Sequence, residues 1–343
     1  MEGVETIVIH NGHYQKALSS HHDGIRVFTD PEYINERSGQ IKTIEDDPFD
    51  LLNTAFMDSC LYLIIDRNIN LKIPVRILVI SSGIDPIMVS PRVYVDMNES
   101  SSATLIEHYL GDATSTFQNS CLFFSIAENS HLDHIRIQSN PISAHHVANL
   151  DVSLYRNGQY NFFQLSQGSE LGRSNIRVNL KEEGSQCTLN GLSLSVGNQH
   201  LDNNILVDHF APNCTSSQNF KSILEENSSG VFNGKVTVRK DAQKTDAEQT
   251  NKNLLLSKKA VMNSNPQMEI YADDVRCAHG SSTGELDKDA LFYLRSRGLD
   301  AITARSLMIR GFATELLGSI KHEGIKNYLT KALDTWIMEK NKK

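Results

Sequence analysis

The sequence predicts a mainly β chain that ends in helices, and three observations carry that reading. From about residue 61 to residue 238, apolar and polar residues alternate at period two, as in Ile176/Val178/Leu180, Leu192/Leu194/Val196 and Val236/Val238. That is the pattern of strands with two different faces. Asparagine is abundant in the same stretch, with twenty between Asn119 and Asn265. Asn tolerates left-handed backbone and hydrogen-bonds within its own turn, so it suits a chain that turns a corner every few residues. After Gly284 the apolar spacing becomes helical.

In chain order, the first fifty residues mix polar turns with short extended pieces such as Thr6–Ile9, and a short helix is expected at Pro48–Phe56. Strands follow from Leu61, with further alternation at Ile135/Ile137, Val152/Leu154 and Ile205/Val207. Turn dipeptides stand between them: Asn157-Gly158, Asn190-Gly191, Gly197-Asn198 and Asn233-Gly234. The run Asp241–Asn253 is polar, gives way to Leu254-Leu255-Leu256, and the strand signal returns at Met268–Tyr271. Asp287 is placed to cap a helix through Leu291–Leu294 that Gly298 stops. Asp300 begins a second helix, with Ile302, Ile309, Phe312 and Leu316 at helical spacing. A third carries Ile325, Tyr328, Leu329, Ala332, Leu333, Trp336 and Ile337 on one face, either a core-facing stripe or a docking face. The basic end, Lys340-Asn341-Lys342-Lys343, suits a helix C-terminus. The chain therefore divides into a short N-terminal segment (1–60), a strand core (61–284) and a helical domain (285–343). Two architectures fit the strands, an antiparallel sandwich or a β-solenoid. The core is long for one sandwich and shows no strict repeat to prove a solenoid, so periodicity leaves the two even.

Composition excludes several function classes. The chain has 343 residues, 33 basic and 41 acidic, for a formal charge of −8. That balance argues against non-specific nucleic-acid binding. No apolar run approaches the ~18 residues of a membrane helix. Met1–Glu5 lacks the basic start and apolar stretch of a signal peptide, so a soluble, cytoplasmic protein is expected. The cysteines, Cys60, Cys121, Cys187, Cys214 and Cys277, are odd in number, dispersed, and without a C-x-x-C pair. A disulfide framework and a self-contained zinc or iron–sulfur site are therefore not expected.

The densest group of ligand-type side chains is Asp273-Asp274-Val275-Arg276-Cys277-Ala278-His279-Gly280. On a strand, Asp273, Val275, Cys277 and His279 would share one face. A thiol and an imidazole two residues apart can both reach one soft metal, but two ligands do not complete a site. The other histidines (His131 and His134 flanking Asp133, His145-His146, and His209) read as structural, and adjacent His145 and His146 would face opposite ways. Nucleotide-binding, nucleophile-elbow and metalloprotease motifs are missing. Adjacent acidic pairs such as Asp46-Asp47 do not span a sugar ring as a glycosidase requires. From the residues alone the chain reads as a scaffold rather than an enzyme.

Four stretches sharpen this: Asp241–Ala247; Asn253–Ser257; Pro266–Gly280; and Leu291-Phe292-Tyr293-Leu294-Arg295-Ser296-Arg297-Gly298. Together they closely resemble the SufB/SufD family of the SUF iron–sulfur cluster assembly system, across about His131 to Phe312. Asp47–Asn53 resembles it more weakly. Within the family, Cys277-Ala278-His279-Gly280 looks like the SufD branch. The N-terminal helical region usual in that branch is expected to be short or absent here.

The resemblance implies a right-handed parallel β-helix with a C-terminal helical domain. It implies a non-catalytic scaffold subunit whose β-helix pairs with a SufB-like paralogue and whose helices dock a SufC-like ATPase, with a homodimer when alone. His279 would face the partner's cysteine across the interface, where a transient iron–sulfur cluster assembles, and Cys277 is the second metal-site residue. No permanent cofactor, nucleic acid or membrane partner is implied. The rival readings are a SufB-type primary cluster scaffold and a β-helix protein or enzyme acting on polysaccharide.

Overall fold

The computed structural model describes residues 3–20, 22–30, 47–112 and 115–340. Asp46 and the basic tail after Lys340 lie outside the described residues. Strands β1 (Glu5–His10), β2 (His13–Tyr14) and β3 (Ile25–Phe28) precede helix α1 (Pro48–Phe56). Then come β4 (Cys60–Ile65), β5 (Val75–Ser81), β6 (Ile87–Val89) and β7 (Arg92–Met97). The long strands are β8 (Ser102–Gly111), β9 (Thr116–Ile126), β10 (His131–Asn140), β11 (His145–Leu154), β12 (Gln159–Gly168), β13 (Leu171–Leu180) and β14 (Gln186–Ser195). They continue with β15 (His200–His209), β16 (Thr215–Leu224), β17 (Ser229–Val238), β18 (Asp246–Leu255), β19 (Val261–Ile270) and β20 (Arg276–Gly284). Helices α2 (Lys288–Ser296), α3 (Ala301–Leu317) and α4 (Glu323–Lys340) close the chain.

From β8 onward the even strands build one sheet and the odd strands another, so the chain changes sheet at every corner. Except for the pairs β1–β2 and β3–β4, the pairings are parallel. This is a β-solenoid, and parallel pairing rules out the antiparallel sandwich. One rung returns to the same place every 27 to 31 residues, through Ser102, His131, Gln159, Gln186, Thr215, Asp246 and Arg276. The uneven interval is why no strict repeat is visible in the sequence.

The corners explain the asparagines. Asn129, Asn157, Gly184, Asn213 and Lys244 occupy equivalent positions, with φ of 58°, 53°, 75°, 59° and 58°. Only Gly and Asn adopt this backbone at little cost. The N–H of each donates to the next corner, Asn129 to Arg156 O and so on to Lys244, which donates to Asp274 O at 2.6 Å. A small polar residue usually follows: Ser130, Ser185, Cys214 and Thr245 each bond a corner carbonyl. Cys214 is thus a structural stand-in for serine.

Two expected turns prove to be strand interiors. Asn190-Gly191 lies within β14 and Asn233-Gly234 within β17. Both glycines face the core, where a side chain would collide with a neighbouring rung. A Cβ on Gly191 would lie 2.3 Å from the Phe220 ring, and one on Gly234 would lie 2.2 Å from Gln249 Nε2. Phe220 and Phe232, 5.5 Å apart, occupy the space the glycines leave. The polar run from Asp241 also differs from expectation, because its second half is β18. Its inward residues Gln249, Asn251 and Asn253 are buried and hydrogen-bonded, Gln249 to Gln218 and Asn253 to Asn251.

Apolar surface is buried in two places. Inside the solenoid lie inward residues such as Leu63, Val95, Leu122, Val152, Val178, Val207 and Val236. On the outside of the even-strand sheet, Ile106, Ile135, Ile137, Phe163, Leu192, Leu194 and Ile223 pack under Ile309, Leu316, Leu329, Leu333 and Trp336 of α3 and α4. The amphipathic stripe of α4 is therefore core-facing. The expected stripe of α3 fails at Ile302, which is 53% exposed. Asp287 and Asp300 cap α2 and α3 through N–H groups two and three residues on, and Gly298 (φ 95°) ends the segment between them. Two ion pairs clamp α3 to the solenoid: Lys221 Nζ with Glu315 at 2.5 Å and Arg305 with Glu225 at 2.6 Å. On the other sheet, buried Arg92 pairs with Asp50 of α1, bonds Asn53 and lies 5.1 Å from the Phe123 ring centre.

Gly191→Val should overfill the core against Phe220. We expect a loss of about 1–3 kcal/mol, read as a lower urea midpoint; an unchanged midpoint would contradict the assigned packing.

Candidate functional site at the open end of the solenoid

The two ends of the solenoid differ. At the N-terminal end the short antiparallel strands β2 and β3 cover the sheet edges. At the other end β20 and β19 are the last strands of their sheets, each with one edge unpaired among the described residues. Pro266 sits mid-strand in β19, a position proline tolerates on an edge. Burial falls away here: β17 is buried at alternate positions, whereas β19 has none buried and β20 is mostly exposed. Val261, Ile270 and Tyr271 are exposed by 50%, 43% and 60%.

Cys277 and His279 stand on this terminal rung. They are in register with Ala247 and Gln249 of β18, both fully inward and buried. Both side chains therefore project toward the solenoid axis, on the face that a further rung would cover. Cys277 is half-buried against the core, while His279 is exposed. Burial pushes the Cys277 thiol up, and the nearby Asp246 carboxylate adds to the shift, against a smaller opposing hydrogen bond from the Ala247 backbone. It is thus a thiol rather than a thiolate at neutral pH, and a metal or a cation would have to displace its proton. Asp273 and Val275 do not continue the strand face expected of them, because β20 begins at Arg276; Asp273 and Asp274 lie exposed in the preceding bend. Gln243 fixes that bend: its side-chain oxygen accepts from Asp274 N at 2.9 Å and its amide donates to Lys240 O. Lys244 is exposed at the left-handed corner.

The other sequence candidates have structural surroundings. His131 Nε2 lies 2.9 Å from Asp133, on the outer face. His145 is exposed and His146 buried, on opposite faces of β11. His209 Nε2 meets Ser216 Oγ at 2.8 Å. Cys121 and Cys187 are buried, and burial pushes the Cys121 thiol up to about 12.

Sequence reading missed a polar group deep in the solenoid, around Glu107 and Arg136. Arg136 Nε donates to Glu107 at 2.8 Å, Tyr109 donates to the same carboxylate, and His134 Nε2 lies 3.1 Å away. Burial opposes the charge on Glu107, but Arg136, His134 and Tyr109 together outweigh it and hold the carboxyl down at about 2. The signal was present as Glu107, His134 and Arg136 at inward positions of registered strands. Register, which sequence did not give, was needed to see it.

These features define a β-solenoid protein with a helical flank whose last rung carries a thiol and an imidazole. Comparison with known proteins gives the family. Residues 79–312 match the model described as the SUF system FeS cluster assembly, SufBD core domain. The iron–sulfur cluster assembly protein SufD of Escherichia coli is 33% identical over 93% of this chain and 76% of its own length. A SufBD family protein of Synechocystis is 31% identical over 95% of the chain and 76% of its own length. The chloroplastic protein ABCI7 of Arabidopsis thaliana is 32% identical over 69% of the chain and 51% of its own length. The chain belongs to the SufB/SufD family, and with it to SUF iron–sulfur cluster assembly. No helix among the described residues is long and apolar enough to cross a membrane.

Alkylation of Cys277 by iodoacetamide, followed by peptide mass spectrometry across pH, should have a midpoint above that of an ordinary thiol. A midpoint at or below the ordinary value would contradict the environment assigned to it.

Proposed function

We propose that this chain is the SufD-type, non-catalytic scaffold subunit of a SufBCD-type complex. A SufB-like paralogue continues the solenoid from its open end, a SufC-like ATPase binds the helical domain, and a nascent iron–sulfur cluster is built where the two solenoids meet. The observation that carries the reading is the placement of Cys277 and His279 on the face of the last rung. An imidazole and a thiol are half of a tetrahedral ligand set for iron or zinc, and the unpaired edges of β19 and β20 invite a second sheet to supply the rest. The cluster is cargo, bound transiently, and no resident cofactor is needed.

The helical domain supports the ATPase assignment. α3 and α4 bury one face on the solenoid, while Phe292, Tyr293, Ile302 and Leu307 are exposed by 74%, 57%, 53% and 50%. Exposed aromatic and aliphatic side chains on helices are characteristic of docking surfaces. Because α3 is clamped to the solenoid through Lys221 and Arg305, a movement of the docked ATPase would be carried to the sheet and so to the interface. Nucleotide hydrolysis in the partner would then bias two arrangements of the shared site.

Two outcomes follow. In the complex co-expressed with both partners, His279→Ala should leave assembly intact and lower bound iron and acid-labile sulfide. Unchanged cluster content would make this chain an architectural partner only. Phe292→Ala combined with Tyr293→Ala should weaken binding of the ATPase roughly tenfold or more, measured by titration calorimetry, with the SufB-like partner still bound; unaltered ATPase affinity would place that dock elsewhere.

A further inference from the structure

In the polar group inside the solenoid, two side chains, Arg136 and His146, keep buried nitrogens that no protein atom meets. Arg136 uses Nε on Glu107 and Nη1 on Ser174 Oγ at 3.0 Å, and its Nη2 is buried with no protein partner. His146, on the facing sheet, is 3% exposed, and neither of its ring nitrogens has a protein partner. The Tyr109 ring holds the imidazole in place, 4.5 Å away at a steep angle. Arg136 and His146 line the same cavity of about 10 Å³, together with Gln138, Gln164, Ser174 and Asn203. That volume is near the minimum for one water molecule.

Charge decides the chemical class of the occupant. Arg136 is matched by Glu107, and at the cavity rim Arg173 is matched by Asp202 at 2.7 Å. Burial holds His146 neutral, its pKa pushed down to about 3, and burial likewise lowers His134. The surroundings sum to zero, so an anion or a cation would enter uncompensated, which a buried site does not tolerate. Other neighbours are already engaged: Gln164 accepts from Ser174 and donates to Asn203 at 2.8 Å, and Gln138 donates to Ser169. The occupant must therefore be neutral, accept from a guanidinium N–H, and either donate to the imidazole lone pair or accept from the imidazole N–H.

We propose that this cavity is a built site for one structural water, which bridges Arg136 Nη2 of β10 to a ring nitrogen of His146 of β11 and so joins the two sheets where the apolar core gives out. A water accepts and donates at once, and buried waters recur where polar groups would otherwise be orphaned. The site is independent of the cluster site. Gln164 and Asn203 lead on to Ser166 and Ser193, and the Phe220–Phe232 pair lies on the rungs that follow.

The test is a crystal structure of the full chain at a resolution that places ordered water, from crystals grown with bromide replacing chloride. A single peak without anomalous signal, within hydrogen-bond distance of both Arg136 Nη2 and a His146 ring nitrogen, is expected. A bromide anomalous peak there would overturn the neutral assignment. An empty cavity, or a direct Arg136–His146 contact, would overturn the site.

Discussion

Each rung of this solenoid depends on the next. Backbone groups of one strand pair with the strand a rung away, inward side chains rest on the inward side chains above and below, and corner N–H groups reach the following corner. Backbone and core alike need a neighbour on both sides. The constraint explains the corners, where Asn or Gly takes the left-handed backbone that keeps successive rungs in step. It also explains why the ends are the critical places. The N-terminal end is covered by β2 and β3; the end that carries Cys277 and His279 is not.

The same constraint lets the interior be partly polar. On the even strands the outward positions are apolar because α3 and α4 cover them, so the inward positions do not have to supply all of the core. Toward one corner those inward positions become Glu107, Arg136 and Gln164, and further along Gln218 and Gln249; parallel register sets Arg136 beside Glu107 and Gln249 beside Gln218, each pair hydrogen-bonded, with Gly191 and Phe220 between the two groups. These polar side chains are tolerated because they find partners on the adjacent rung, as Arg136 does in Glu107 and Gln249 in Gln218, or on the facing sheet, as Gln164 does in Asn203. The interior thus has two sections, an apolar one that drives folding and a polar one that fixes register.

Much of this was legible in the sequence. Helix α1 lies at Pro48–Phe56 as its pattern predicts, the two Asp caps precede their helices, and the alternating pairs are strands. Two kinds of feature were not legible. Local turn chemistry misread Asn190-Gly191 and Asn233-Gly234, since Gly191 answers to the Phe220 ring a full rung away and Gly234 to Gln249 of the facing sheet. Register was invisible because the repeat interval varies, so the inward meeting of Glu107, His134, Arg136 and His146 could not be inferred. At the candidate site the strand face of Cys277 and His279 was readable from spacing two, whereas Asp273 and Asp274 fell outside the strand because the corner before it runs to Val275. That this rung is the last could be known only from the pairing.

The role proposed for Cys277 and His279 requires that another solenoid complete the open end. Hydrogen–deuterium exchange of the chain alone and in the complex with its SufB-like paralogue tests this directly. The amides of β19 and β20 should exchange readily in the isolated chain and slow by roughly tenfold or more in the complex, while those of β10 to β15 stay unchanged. Protection confined to another surface, with β19 and β20 unaffected, would contradict the claim that Cys277 and His279 face a partner.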